Sequence, residues 1–365
     1  MTAMMNDSTP NNRLLSIDLA RGLAVFFMIA VHTLEVFASP EVKNSVFGQI
    51  IEFLGGPPAA PVFMTLMGFS FIYSRKSELK PRLIRGFKIF LAGYLLNILR
   101  GVIPFALSNY LQMAVVEKLP LEKLNAHTIF TIVDILQFAG IACMIMALIQ
   151  EFKINRYIIL FVAFLISMLS PFLWGLSVNV PFVDQVLELF WGDQPIEFSF
   201  IENKIAFPVF PWLSFPLLGM FLGDSMKNSK DQGMTFKYFG ITGTLVLLFG
   251  VVISYSNIDY HFNDYYHSRQ GGMLSMGGFV ILWMYIVNIV IDMFAMNRLF
   301  ELLFKWSKGV TNIYFAQWIF IIWSIGLFGI NESSYATVVL LILIFTFVSH
   351  FANEFISKLK YTKTI

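Results

Sequence analysis

The chain has 365 residues, of which 57% are hydrophobic and 13% charged, with a formal net charge of +2. A soluble domain carries about 25% charged residues, so composition excludes a string of ordinary soluble domains. A pI of 8.5 gives no sign of a nucleic-acid partner, and the mean hydropathy of +0.71 points to a membrane. The single cysteine, Cys143, lies inside an apolar run. This removes any disulfide framework or cysteine metal site, and the residue reads as a small buried apolar group.

Residues 1–12 are polar, with Pro10 and several Asn, and read as a disordered cytoplasmic tail. The apolar run after Arg13 is too long for a signal peptide, and Asp18 and Arg21 interrupt it where such a peptide needs an unbroken core. It is therefore taken as a mature helix. A span needs roughly 20 apolar residues. The runs predict helices over 14–38, 57–74, 83–107, 128–150, 156–177, 205–224, 236–255, 273–293, 309–327 and 334–356. A short amphipathic helix over 181–191 is expected in an outer segment. No soluble domain or internal repeat is visible. The organisation is one transmembrane domain over 13–357 with a cytoplasmic tail at 358–365.

Orientation follows from the Lys/Arg bias of short loops. Arg75, Lys76, Lys80, Arg82, Arg85 and Lys88 crowd the second loop. Lys153 and Arg156 lie in the fourth, Lys227, Lys230 and Lys237 in the sixth, and Arg298, Lys305 and Lys308 in the eighth. Acids collect in the odd loops: Asp184, Glu188, Asp193, Glu197 and Glu202, then Asp259 and Asp264. The reading is an all-α polytopic membrane protein of about ten helices with both ends in the cytoplasm. Outer segments near 108–127, 178–204 and 256–272 are the natural mouth for an extracytoplasmic substrate.

Ionisable groups inside a span are costly and face protein or a water-filled cavity. The first helix carries four: Asp18, Arg21, His32 and Glu35. At about 100° per residue, Arg21 to His32 is a rotation of about 1100°, some 20° from full register, and the other two fall within about 60° of Arg21. The four line one stripe. His32 stands about 16 Å beyond Arg21 along the axis. Two readings are open for the Asp18–Arg21 pair, a packing ion pair or a site. The same choice holds for the polar pairs Asp134/Gln137, Asn97/Arg100 and Asn312/Gln317.

Ser16-Ile17-Asp18-Leu19-Ala20-Arg21-Gly22, with His32 eleven residues after the arginine, resembles the opening helix of the transmembrane acyltransferase superfamily. Within it, the bacterial relatives of heparan-α-glucosaminide N-acetyltransferase are most similar, and the acyltransferase-3 family more distantly so. Pro61 to Gly68, Asp134-Ile135-Leu136-Gln137 and Phe207-Pro208-Val209-Phe210-Pro211-Trp212 agree with later segments of that pattern. At Gln317 many relatives carry a histidine.

The resemblance implies acyl transfer from cytoplasmic acetyl-CoA, as acyl-donor substrate, to a hydroxyl or amine of a sugar or glycan on the outer side. A hydroxyl needs a base to take its proton, and imidazole titrates near neutrality. His32 is accordingly the expected base, with Glu35 orienting it and Asp18 holding Arg21. Arg21, Arg85, Lys88 and Asn312 are expected to contact the acyl-CoA, and Asp134, Gln137, Trp212 and Gln317 the acceptor. A direct ternary mechanism is preferred over an acyl-histidine. His127, His261 and His267 sit in outer loops without metal-ligand spacing, so no metal is expected, and His350 reads as structural. No phosphate loop or Ser-centred nucleophile elbow occurs. The expected setting is a bacterial inner membrane, among lipids, with a homodimer left open. The rival is a secondary transporter using Asp18, Arg21 and His32 as a substrate or proton path, but the paired interrupted helices of such folds are not visible.

Overall fold

The computed structural model describes residues 14–74, 78–111, 125–192 and 205–362. The expected N-terminal tail, Arg75, Lys76, Asp193, Glu197, Glu202 and Lys363 lie outside them. The described chain is helical with no strand, only the isolated bridges Ala38–Ser333 and Val133–Ile205. Ten principal helices stand where the apolar runs predict them. They are α1 (Leu15–Phe37), α2 (Ala60–Ile72), α3 (Leu79–Asn97), α4 (Ile135–Glu151), α5 (Arg156–Leu169), α6 (Ser214–Lys227), α7 (Gln232–Tyr255), α8 (Gln270–Met293), α9 (Arg298–Trp323) and α10 (Tyr335–Thr362). The short helix Pro181–Trp191 also forms. Eight helical stretches are long and apolar enough to cross a membrane by length and composition, and Ile135–Glu151 and Arg156–Phe172 are shorter apolar helices. The chain is a polytopic membrane protein.

The centre of the bundle is set by α1. Its most apolar window is 72% buried, as is that of Val209–Lys227, against 28% for α7 and α10. A helix apolar on every side belongs in the middle of a bundle. Helix α1 packs on α9, and α2 packs on α6; α3 pairs with α4 and α7 with α8. Because lipid is as apolar as leucine, association depends on close packing and interhelical hydrogen bonds. Gly68 of α2 faces the Pro216 carbonyl of α6, while Gly219 of α6 faces the Thr65 carbonyl of α2. A Cβ at either glycine would run into backbone, so only glycine allows this approach.

Four helices depart from the expected runs. The sixth starts at Ser214, after the short turn Val209–Trp212, and the ninth starts at Arg298, so Lys305 and Lys308 lie on α9 rather than in the eighth loop. The expected helix over 128–150 is broken: Ala126–Thr131 stops, the chain extends through Ile132 and Val133, and α4 begins after Asp134 as N-cap. Two β-branched residues followed by Asp favour this break, since Asp caps better than it continues a helix. Helix α3 runs through a π turn at Ile98–Val102 before Ile103–Leu111.

Open backbone at membrane depth must find partners inside the protein. Asn97 Nδ2 donates to the carbonyls of Phe130 and Ile132 at 3.0 and 2.7 Å. Gln137 Nε2 also donates to Ile132, at 3.2 Å, and its Oε1 accepts the Asp134 N–H at 3.1 Å. The Ala206 N–H donates to Val133 at 3.0 Å.

The α2–α6 contact predicts unequal effects of glycine substitution. Gly68→Ala and Gly219→Ala should each destabilise the protein by about 1–3 kcal/mol. Gly277→Ala, whose added methyl meets open space, should leave stability unchanged or raise it. Thermal unfolding in detergent checks this, and equal shifts at all three positions would refute the close-packing account.

Candidate active site

The His32 end of α1 faces α9 and the two broken helices. His32 is half-buried. Its ring stacks on Trp318 with centroids 4.3 Å apart and planes at 30°, and Tyr314 stands edge-on at 6.3 Å. Nδ1 of His32 lies 3.3 Å from Nε2 of the fully buried Gln317. Tyr314, Gln317 and Trp318 share one face of α9 by the spacing of three and four residues.

Beside them stands a charged cluster carried by both helix breaks. Arg100, on the π turn, pairs with Asp134 Oδ2 at 2.7 Å, and both side chains are nearly buried, with 12% and 11% exposed. Asp134 Oδ1 caps α4 by accepting the Ile135 N–H at 2.7 Å. Its Oδ2 also accepts the Tyr314 hydroxyl at 2.8 Å. Arg100 donates to Asn97 Oδ1 at 3.1 Å and lies over the Trp318 ring at 4.9 Å. π turns recur at functional sites because the extra residue re-aims a side chain. Here the re-aimed group is a guanidinium, whose five N–H donors exceed those used by Asp134 and Asn97.

The Asp18 end is a clasp of another kind. Asp18 accepts from Ser307 Oγ at 2.8 Å. Arg21 lies 3.7 Å from Asp18 and donates to Ser307 Oγ at 3.4 Å, to the Leu66 carbonyl at 3.3 Å and to Ser70 Oγ. One guanidinium thus ties α1 to α2 and α9, which is the packing reading of the pair. Along α1, Asp18 meets the earlier part of α9 and His32 the later part, so the two helices run parallel.

A loop between α7 and α8 packs near the site. Trp212 donates to the Tyr266 carbonyl at 2.9 Å, and Tyr265 donates to the Gly56 carbonyl at 3.2 Å. Burial, then the nearby charges of Glu35 and Asp134, push the Tyr266 phenol well above its ordinary pKa. Asp264 Oδ2 lies 2.8 Å from His267 Nδ1, and Oδ1 accepts the N–H groups of Tyr266 and His267. Burial works against ionisation of Asp264, but the His267 hydrogen bond, its charge and those backbone donors outweigh it and hold the carboxyl below its usual value.

The expected site residues divide. The structure brings His32, Gln317 and Asp134 together. Gln137 is fully buried and occupied with the capping box and the Ile132 carbonyl. Trp212, expected to contact the acceptor, is 0% exposed, among Phe207, Phe215 and Tyr265, so neither face is open to a sugar ring. Asn312 donates to Asn353 on α10 at 3.0 Å. Glu35 lies towards Lys43 and Tyr265 rather than against the imidazole. Burial holds the Lys43 ammonium below its usual pKa, opposed by Glu35 and Glu52, and Lys43 Nζ donates to the Glu35 carbonyl at 2.7 Å. Arg85 and Lys88 lie exposed on α3. Sequence reasoning gave no role to Tyr314 or Trp318 and left Arg100 among undecided polar pairs; its one signal was an arginine within an apolar run. No group of three or more His, Cys, Asp or Glu suited to a metal occurs among the described residues.

A family model described as heparan-alpha-glucosaminide N-acetyltransferase, catalytic, matches residues 13–252. The chain belongs to that family. The match covers α1, the π turn and the Asp134 cap, and ends before α9, so Tyr314, Gln317 and Trp318 lie beyond the matched stretch. No curated protein matches the chain. Membership of the heparan-alpha-glucosaminide N-acetyltransferase family points to acetyl transfer at a membrane.

Two outcomes follow from this geometry. Arg100→Ala leaves a buried carboxylate uncompensated and should cost about 3–5 kcal/mol. Asp134→Asn in the Arg100→Ala background should recover part of that loss, so a double-mutant cycle on thermal unfolding that shows no coupling would refute the ion pair. For Asp264, the depressed carboxyl stabilises above the ordinary Asp pKa of about 3.9, and this is lost as pH falls through the lowered value. Hydrogen exchange over 256–269 should therefore stay slow at pH 5 and quicken in Asp264→Asn, and equal exchange in the two proteins would count against the clasp.

Proposed function

We propose that the protein is a membrane acetyltransferase that moves an acetyl or similar acyl group from cytoplasmic acyl-CoA to a hydroxyl or amino group of a sugar or glycan at the extracytoplasmic face. His32 is the general base. The observation that carries this reading is a half-buried imidazole, stacked on Trp318, beside a guanidinium with N–H donors to spare, inside a chain of this family. Acyl transfer needs those two functions at one place, a proton acceptor and charged donors for the oxyanion.

In the proposed reaction His32 takes the acceptor's proton as its oxygen or nitrogen attacks the thioester carbonyl. Arg100 stabilises the tetrahedral oxyanion with its remaining N–H groups. Collapse breaks the C–S bond, and the departing thiolate takes the proton from the imidazolium. Asp134 and Tyr314 hold Arg100 in place. Arg85 and Lys88, on the exposed basic face of α3, receive the CoA phosphates. Arg21 and Asp18 act as a helix clasp near the cytoplasmic end. The proposal includes ten spans, both termini in the cytoplasm, and a bacterial inner membrane.

Purified protein in lipid nanodiscs, given radiolabelled acetyl-CoA and methyl α-D-glucosaminide, tests the reading. Transfer is expected in the wild type, and His32→Ala should lower it on the order of 100-fold or more while acetyl-CoA still binds. Failure to bind acetyl-CoA at micromolar concentration defeats the enzyme reading. Full transfer by His32→Ala defeats the assigned base.

A further inference from the structure

A neutral imidazole carries one proton, and the hydrogen bond made by one ring nitrogen decides the state of the other. A base acting through Nε2 needs its proton on Nδ1, and Nδ1–H needs an acceptor. From the π turn, Arg100 offers only donors, as does Trp318 on α9. Tyr314 stands edge-on to the imidazole with its hydroxyl turned to Asp134 at 2.8 Å. The oxygens of Asp134 are taken by Ile135, Arg100 and Tyr314. On α1 itself, Glu35 lies towards Lys43 and Tyr265, and from the α7–α8 loop Tyr266 packs against Phe207.

Gln317 remains. Its side chain is 0% exposed and sits 3.3 Å from Nδ1, and its Oε1 is buried without a hydrogen-bond partner in the described structure. A half-turn about the Cγ–Cδ bond exchanges the two ends of the amide and brings Oε1 to Nδ1.

We infer that Gln317 is a positioning residue that selects the tautomer of His32, its Oε1 accepting Nδ1–H so that Nε2 presents a lone pair to the acceptor substrate. The inference rests on the proposed role of His32 and adds what makes that role possible. In the transfer step the proton leaves the acceptor's O–H or N–H for Nε2 and passes to the departing thiolate; Gln317 neither gains nor loses one. A neutral carbonyl fixes the ring without holding the imidazolium as tightly as a carboxylate would. The proton is therefore still released to the leaving group.

The test reads the tautomer directly. The full chain is labelled with 15N-histidine, held in lipid nanodiscs at neutral pH, and its His32 signals are identified by their absence in His32→Asn. Wild type should show Nδ1 protonated and Nε2 bare. Gln317→Met, which keeps the volume and removes both polar ends, should show a mixture. Gln317→Glu should restore the wild-type tautomer and move the acid limb of the transfer rate to higher pH. With acetyl-CoA and methyl α-D-glucosaminide, Gln317→Met should lower kcat on the order of 100-fold with KM for acetyl-CoA unchanged. A wild-type ring protonated on Nε2, or the same tautomer in Gln317→Met as in wild type, overturns the inference. Because the spectrum needs no acceptor, this failure is distinct from that of the function, which is registered by full transfer in His32→Ala.

Discussion

The ion pair between Arg100 and Asp134 holds two irregular stretches of backbone together where irregular backbone is most expensive. A π turn in α3 and an unwound segment before α4 both expose peptide groups inside the bundle. In hydrocarbon each unsatisfied group would cost several kcal/mol. Asn97, Gln137 and Asp134 answer that cost with side-chain hydrogen bonds. Arg100 then neutralises the cap that Asp134 provides. Remove the pair and the cap becomes an isolated buried charge. The same carboxylate receives Tyr314 from α9, so α3, α4 and α9 meet at one oxygen. The position of the His32 site follows from this, because Trp318 on α9 lies under both Arg100 and His32.

That arrangement also explains why α1 is so deeply buried. It must present His32 to α9 near one end and Asp18 with Arg21 to α9 and α2 near the other. Gly22 lies against the Leu303 backbone of α9 and lets the two helices approach closely near the Asp18 end. The clasp at Arg21 directs its guanidinium to Ser307, the Leu66 carbonyl and Ser70 and ties α1 to α9 and α2. The cluster at Arg100 is partly saturated and leaves donors over.

Much of this was legible in the sequence, for a physical reason. Membrane helices are written as long apolar runs, so all ten helices stand near their expected places, and the amphipathic helix at 181–191 forms. The stripe on α1 was legible because rotation per residue is fixed: Asp18, Arg21 and His32 all reach α9. The breaks were not. Ile98-Leu99-Arg100 and Ile132-Val133 look like ordinary span residues, and only distant partners such as Asn97 make unwinding tolerable. Gln317 and His32 are 285 positions apart, and no local pattern joins them. Trp212 follows two prolines and looks interfacial, yet three aromatic rings enclose it. Serines 70 and 307 carry almost no signal alone, although they complete the clasp at Arg21.

A general base for a hydroxyl or amine has conflicting needs. It must be dry enough for electrostatics to act at short range, yet the chain must not trap it in the wrong protonation state. A carboxylate against His32 would fail the second need, because it would hold the imidazolium, and it would add a charge beside the pair that Arg100 and Asp134 already balance. With one arginine and one buried carboxylate already balanced, a second carboxylate beside the imidazole would leave an excess negative charge in a low-dielectric site. A neutral amide avoids this. In the proposed role, Gln317 orients the ring without altering the charge count, so the pair that holds the broken helices would stay intact while a proton moves at His32. The electrostatics of the scaffold therefore restrict what can stand behind the base, and an uncharged partner at position 317 fits that restriction.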